Sequence, residues 1–199
     1  MESIIEALQT AKQSVEACLQ DKEIILSVSR LANLIAETFQ KGNKVLICGN
    51  GGSNADAIHF AEEFTGKFRK ERRALPVIAI SESSHITCVG NDYGFAEIFA
   101  RGVEAFGKKD DFFIGISTSG NSENVWRALQ KAKENHLQTF ALLGKDGGKM
   151  KNQADMDIVI PGKTTDRIQE VHMLLLHIVI EQVERILFPE NYENCCSAS

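Results

Sequence analysis

Proline is scarce in this chain, three in 199 residues, and no stretch is dominated by one or two residue types. That excludes long disordered linkers and low-complexity tracts, and no internal repeat is visible. Basic clustering is equally thin. The net charge is −5 and no basic run is longer than Lys67 to Arg73, so the electrostatic footprint of a nucleic-acid partner is missing. The start, MESIIEALQT, has neither the basic region nor the unbroken apolar core of a secretory signal. The longest apolar run, Val171 to Ile180, is interrupted by His172 and His177 and stops at Glu181, short of the ~20 residues a membrane helix needs. A cytoplasmic protein is expected, with neither nucleic acid nor membrane as partner. The five cysteines, at 18, 48, 88, 195 and 196, lack C-x-x-C or zinc-ribbon spacing and read as reduced thiols. Cys195 and Cys196 fall in a polar tail and receive no role.

What is present suits one compact domain with a helical extension. Residues 2–41 place apolar side chains at helical spacing (Ile4, Ile5, Leu8; then Ile24, Ile25, Val28, Leu31, Ile35, Phe39), which predicts two amphipathic helices broken near Asp21. From Lys44 the pattern changes to short apolar runs: KVLICG, LPVIAIS, DFFIGIS, TFALLG and MDIVIP. Runs this continuous suit strands buried on both faces of a parallel sheet. Helical patterns at about 54–66, 95–107, 122–135, 146–153 and 167–188 alternate with them. The expectation is an α/β fold, a three-layer αβα sandwich on a five-stranded parallel sheet, with residues 1–41 as packing helices, 42–190 as the main domain and 191–199 as a polar tail. Ligands in such sheets gather at the carboxyl ends of the strands. The last helix is apolar on nearly every face across VHMLLLHIVI, so it is expected at a subunit interface or covered by the N-terminal pair.

Two strand-to-helix loops carry the chemistry. Ile114 to Glu123, IGISTSGNSE, leaves a buried run, turns through Ser117, Thr118, Ser119 and Ser122, and enters a helix. Hydroxyls beside a helix N-terminus make an anion cradle; the alternative is an ordinary N-cap with a serine-rich turn. The spacing nearly spells a P-loop, but Asn121 stands where its lysine belongs, which favours one sugar phosphate over a nucleotide. The other loop, Asn50-Gly51-Gly52-Ser53, allows close backbone approach, and Asn50 offers a donor and an acceptor to hydroxyls. Asn54 replaces the third glycine of a dinucleotide fingerprint. Ser53 with Asp56, and Asp166 with Gln169, read as capping boxes. His59 and Glu63, four residues apart on one helical face, suit two ligands of one cation or a plain surface pair. His172 and His177 sit in an apolar helix, where a satisfied core histidine is the common outcome.

The strings CGNGGS, HFAEEFTG, SHITCVGNDYGF, GISTSGNSENV, GKDGGKM and DRIQEVH, in this order and spacing, resemble the phosphoheptose isomerases of the SIS-domain class, whose sheet is flavodoxin-like. The resemblance covers the chain from residue 44 to the end of the last helix. It implies an aldose–ketose isomerase in which Glu63 is the base and His177 the acid, moving a proton between C1 and C2 of a heptose 7-phosphate through an enediol. It further implies zinc held by His59, Glu63, Gln169 and His177, and substrate contacts from Asn50, Gly51, Gly52, Glu63, Asn91, Asp92, Ser117, Thr118, Ser119, Ser122 and Gln169. A homotetramer with sites near subunit interfaces, and a product destined for lipopolysaccharide, belong to the same implication. Rival readings are an isomerase of another sugar phosphate and a non-catalytic SIS protein that binds a replication initiator. Gln169 and His177 are eight residues apart, about 12 Å along a helix and about 80° around it, so they meet at one metal only by leaning together or by coming from different subunits. Lys67 stands where the family commonly has arginine, which removes a planar fork but keeps the charge.

Overall fold

The structure is a computed structural model that describes residues 1–193; residues 194–199, with Cys195, Cys196 and most of the expected polar tail, lie outside it. The helical spacing of residues 2–41 gives α1 (Glu2–Gln20) and α2 (Lys22–Gln40), broken at Asp21. The break has a local cause: the Asp21 carboxylate accepts from the amides of Glu23 and Ile24, capping α2. The five apolar runs form β1 (Val45–Gly49), β2 (Val77–Ala79), β3 (Phe112–Ser117), β4 (Gln138–Gly144) and β5 (Met156–Ile160). All neighbours pair in parallel, in the order β2-β1-β3-β4-β5. Residues of β1 and β3 are buried throughout, as a sheet covered on both faces requires.

Two cores result. On one face α2, α3 (Gly52–Thr65) and α7 (Thr165–Leu187) pack on Val45, Ile47, Ile114, Ile116 and Leu142. Phe39, Phe60 and Phe64 anchor it, with ring centroids 5.5 and 4.9 Å apart; each buried ring contributes roughly 2–3 kcal/mol. On the other face α4 (Ser83–Asp92), α5 (Ile98–Phe106) and α6 (Glu123–Glu134) cover Leu46, Cys48, Phe113 and Leu143. This is the expected three-layer sandwich, and α2 shares its core directly.

The structure differs from the sequence expectation at four elements. Residues 146–153 form only a 3-10 turn at Gly148–Met150, because Gly147 and Gly148 take positive φ. Helix α4 went unanticipated: SSHITCVGND is poor in strong helix formers, and its start is made by Glu82, whose carboxylate accepts from the amides of Ser84 and His85. Neither capping box forms. Helix α3 begins at Gly52 with Gly51 as N-cap, and α7 begins at Thr165, so Ser53 and Asp166 already lie inside their helices. Of the two expectations for the last helix, cover by the N-terminal pair holds in part. Helices α1 and α2 cover most of α7, while Leu174 and Ile178 remain over a third exposed.

His172 is fully buried on α7; its Nε2 lies 2.9 Å from the carbonyl oxygen of Leu143, and its Nδ1 has no partner. Burial pushes its pKa down to about 4, with the bond to Leu143 opposing. The unfolded chain therefore takes up this proton first, and stability is lost as pH falls from about 6.5 to about 4, by roughly 3 kcal/mol in all. Asp56, raised to about 6 by desolvation, works with the opposite sign below its folded pKa. Urea titrations at pH 7 and pH 5 should show a larger acid loss for the wild type than for His172→Gln. An equal loss in both would contradict this assignment.

Candidate active site

Strand order reverses between β1 and β3, so their two carboxyl-end loops flank the crevice where open α/β sheets hold ligands. The loop after β3 is the hydroxyl turn. Ser117 is buried and its Oγ lies 3.0 Å from Ser122 Oγ; Ser119 Oγ accepts from the amide of Asn121 at 3.1 Å. Ser122 is the N-cap of α6 but makes no side-chain cap bond; the Val125 amide donates to Asn124 Oδ1, and the Glu123 and Asn124 amides are left to an anion.

A second turn clamps this loop. Gly120 has φ of 63°, and a Cβ there would lie 1.9 Å from the carbonyl oxygen of Gly147. The amide of Met150 donates to the Gly120 carbonyl at 3.0 Å, and the amide of Lys149 donates to Asn121 Oδ1 at 3.0 Å. The Lys149 ammonium then pairs with Glu123 and lies 4.6 Å over the Trp126 ring. Asn121, in the place of a P-loop lysine, is thus a clasp between two loops. The GKDGGKM string showed its composition in the sequence but not its partner.

Asn50 reaches across the crevice to a residue that sequence reasoning missed. Its Nδ2 donates to Asn124 Oδ1 at 2.8 Å, and Asn124 Nδ2 donates back to Asn50 Oδ1 at 2.9 Å. Buried Asn124, on the first turn of α6, therefore fixes the β1 loop to the hydroxyl turn. Gly51 takes φ of 57°, and Gly52 lies so close to Gln169 that a Cβ would meet its amide at 2.5 Å. Gln169 Nε2 also reaches Ser53 Oγ at 3.5 Å.

Helix α3 leads from this crevice along α7. His59 Nε2 lies 3.3 Å from Glu63 Oε1, and the His59 and His177 rings meet edge-on at 4.9 Å. Phe68 stacks on His177 at 5.8 Å. Ligand atoms of His59, Glu63 and His177 all lie within 4.8 Å of one another, all three residues half-buried. Desolvation lowers the His177 pKa, the His59 charge lowers it further, and Glu63 and Glu62 oppose. Two imidazoles and a carboxylate are a fitting donor set for a zinc-type ion. Gln169 stands apart from them, at the Gly52 end of α3, about two helical turns from His177. Asn91 and Asp92 end α4, exposed, with Asn91 Nδ2 donating to Asp92 Oδ1 at 2.7 Å. Glu63 follows Gly52 by eleven residues, about 16 Å along the helix axis.

A flavodoxin-like sheet with a hydroxyl turn at its switch point fits a SIS-type protein, and the SIS domain family matches residues 6–144. The chain is 58% identical over 190 residues to a phosphoheptose isomerase of Fusobacterium nucleatum, covering 96% of this chain and 98% of that one. It is 50% identical over 179 residues to one from Escherichia fergusonii, covering 89% and 93%. The solved phosphoheptose isomerase of Francisella tularensis superposes with a TM-score of 0.88 at 32% identity, over 92% of this chain and 97% of that one. The chain belongs to the phosphoheptose isomerase family.

The clamp on the hydroxyl turn is testable. Gly120→Ala forces a side chain into positive φ against Gly147, a strain of about 1–3 kcal/mol. Inorganic phosphate, assayed as a competitive inhibitor, should bind at least about tenfold more weakly to this variant. Unchanged inhibition would show that the turn does not hold the anion.

Proposed function

We propose that the chain is an aldose–ketose isomerase that interconverts D-sedoheptulose 7-phosphate and D-glycero-D-manno-heptose 7-phosphate through an enediol, the first step toward bacterial heptose precursors. The observation that carries the reading is the meeting of Glu63, His59 and His177 between α3 and α7, in a chain of this family. The phosphate rests on Ser117, Thr118, Ser119, Ser122 and the opening amides of α6. Asn50, Gly51, Gly52, Asn91, Asp92 and Gln169 orient the sugar hydroxyls.

In the direction from ketose to aldose, Glu63 removes a proton from C1 and the electron pair moves toward the C2 carbonyl. His177 gives a proton to the C2 oxygen, completing the enediol. Glu63 then returns its proton to C2, while the C1 hydroxyl gives its proton to His177 and becomes the aldehyde. No electrons leave the sugar, so no redox or nucleotide cofactor is needed.

Zinc, one per subunit, fits His59, Glu63 and His177, and when bound it would stabilise negative charge developing on the sugar oxygens. Gln169 joins as the fourth donor only by swinging away from Gly52 or from a neighbouring copy. A homotetramer with sites near its interfaces is supported by bare apolar side chains on α1 and α2, Ile4, Ile5, Leu8, Ile25 and Leu26. Ile25 also lines an apolar groove of about 320 Å³ with Val15, Leu19, and Leu174 and Ile178 of α7. The 16 Å run of α3 between Gly52 and Glu63 exceeds an extended heptose phosphate, roughly 10 Å from bond lengths, and supports a site completed by neighbouring copies. Among the described residues no helix is long and apolar enough to cross a membrane. A cytoplasmic location and a product bound for lipopolysaccharide complete the proposal.

Purified protein mixed with sedoheptulose 7-phosphate should produce new anomeric signals by NMR; their absence at generous enzyme levels rejects the isomerase. Glu63→Gln should lower turnover at least about 1,000-fold while the thermal midpoint moves little, since the base is lost at constant volume. Full activity would remove Glu63 from the base role. Elemental analysis of protein prepared without chelator should find zinc near one per chain, falling in His59→Ala; metal-free, fully active protein removes zinc from the account.

A further inference from the structure

Arg72 belongs to the densest basic stretch of the chain, yet its side chain is only 1% exposed. A buried guanidinium is costly unless its charge and donors are answered. On one side its Nε donates to Oε1 of Glu184 on α7 at 2.8 Å, and the Tyr192 hydroxyl donates to Glu184 Oε2 at 2.8 Å. On the other side it turns to the end of α3. One terminal nitrogen donates to the carbonyl of Glu63 at 2.6 Å; the other donates to the carbonyls of Phe64 at 2.7 Å and Gly66 at 2.8 Å. Carbonyls of a last helical turn have no partner within the helix, and Gly66, at φ −89°, does not close this one in the left-handed manner. The guanidinium supplies what the backbone leaves open.

Glu184 follows His177 by seven residues, two turns along α7 on nearly the same face. One side chain therefore joins the backbone of Glu63 to the helix that carries His177. We infer that Arg72 is a positioning residue, whose fork sets the spacing of α3 and α7 at which Glu63 and His177 work on one substrate. The inference rests on the acid and base roles proposed above. Lysine cannot replace it, because an ammonium lacks the planar fork that serves Glu184 and several backbone carbonyls together.

The test is steady-state kinetics with thermal unfolding on three variants. Arg72→Lys should lower kcat about 10- to 100-fold with KM within about twofold, as expected when reacting groups are misplaced and binding is intact. Glu184→Asp keeps the ion pair but draws it back by one methylene; the same kcat loss is expected with a smaller fall in Tm, which keeps the test open if Arg72→Lys does not fold. Tyr192→Phe weakens the network without touching α3, and should lower Tm while leaving kcat within about twofold. Undiminished kcat in folded Glu184→Asp or Arg72→Lys overturns the inference. So does a kcat that simply follows Tm across all three, which would make the network a support and nothing more. Glu63→Gln, run beside them, separates the two failures: if it still turns over, the base assignment is at fault.

Discussion

The site depends on the contact between α3 and α7. At its near end Gly52 lies under the Gln169 amide so closely that a side chain there would displace that amide. Two turns further on, His59 and Glu63 meet His177. Beyond them the buried Arg72–Glu184 pair ties the end of α3 to α7. A glycine, a polar cluster and an ion pair hold the same two helices at three heights. The polar members are affordable in a low-dielectric groove because each answers another, which is the condition under which buried charge persists.

The sheet gives that contact its second partner. Because β1 and β3 are neighbours whose connections leave in opposite directions, the hydroxyl turn and the Gly-Gly loop open into one crevice. The reciprocal Asn50–Asn124 amide pair holds the two loops together, and the Asn121 clasp pins the hydroxyl turn to the 147–150 turn. The hydroxyl turn is thus braced from two sides, the kind of preorganisation that lowers the cost of binding the proposed phosphate.

Much of this was legible in the sequence. Five continuous apolar runs named the strands, helical spacing named α1 and α2, and the run from Ile114 to Glu123 named a strand-to-helix turn rich in hydroxyls. The i,i+4 spacing placed His59 beside Glu63, and the eight-residue gap from Gln169 to His177 foretold their separation along α7. What the sequence concealed was long-range. Asn124 looks like any helix-start asparagine until Asn50 faces it, and Arg72 looks like part of a solvated basic run until its side chain is found buried against Glu184, 112 residues away. Helix α4 was missed for a local reason, since its Glu82 cap overcomes a run of weak helix formers.

The central claim is that one sugar phosphate is held by its phosphate at the hydroxyl turn while its carbonyl end lies between Glu63 and His177. A crystal structure of the Glu63→Gln protein with sedoheptulose 7-phosphate tests it most directly. The account predicts the phosphate against Ser117 to Ser122 of the same or a neighbouring copy, with C1 and C2 beside residue 63 and the His177 ring of one chain. A phosphate bound elsewhere, or a carbonyl end turned away from His177, would contradict it.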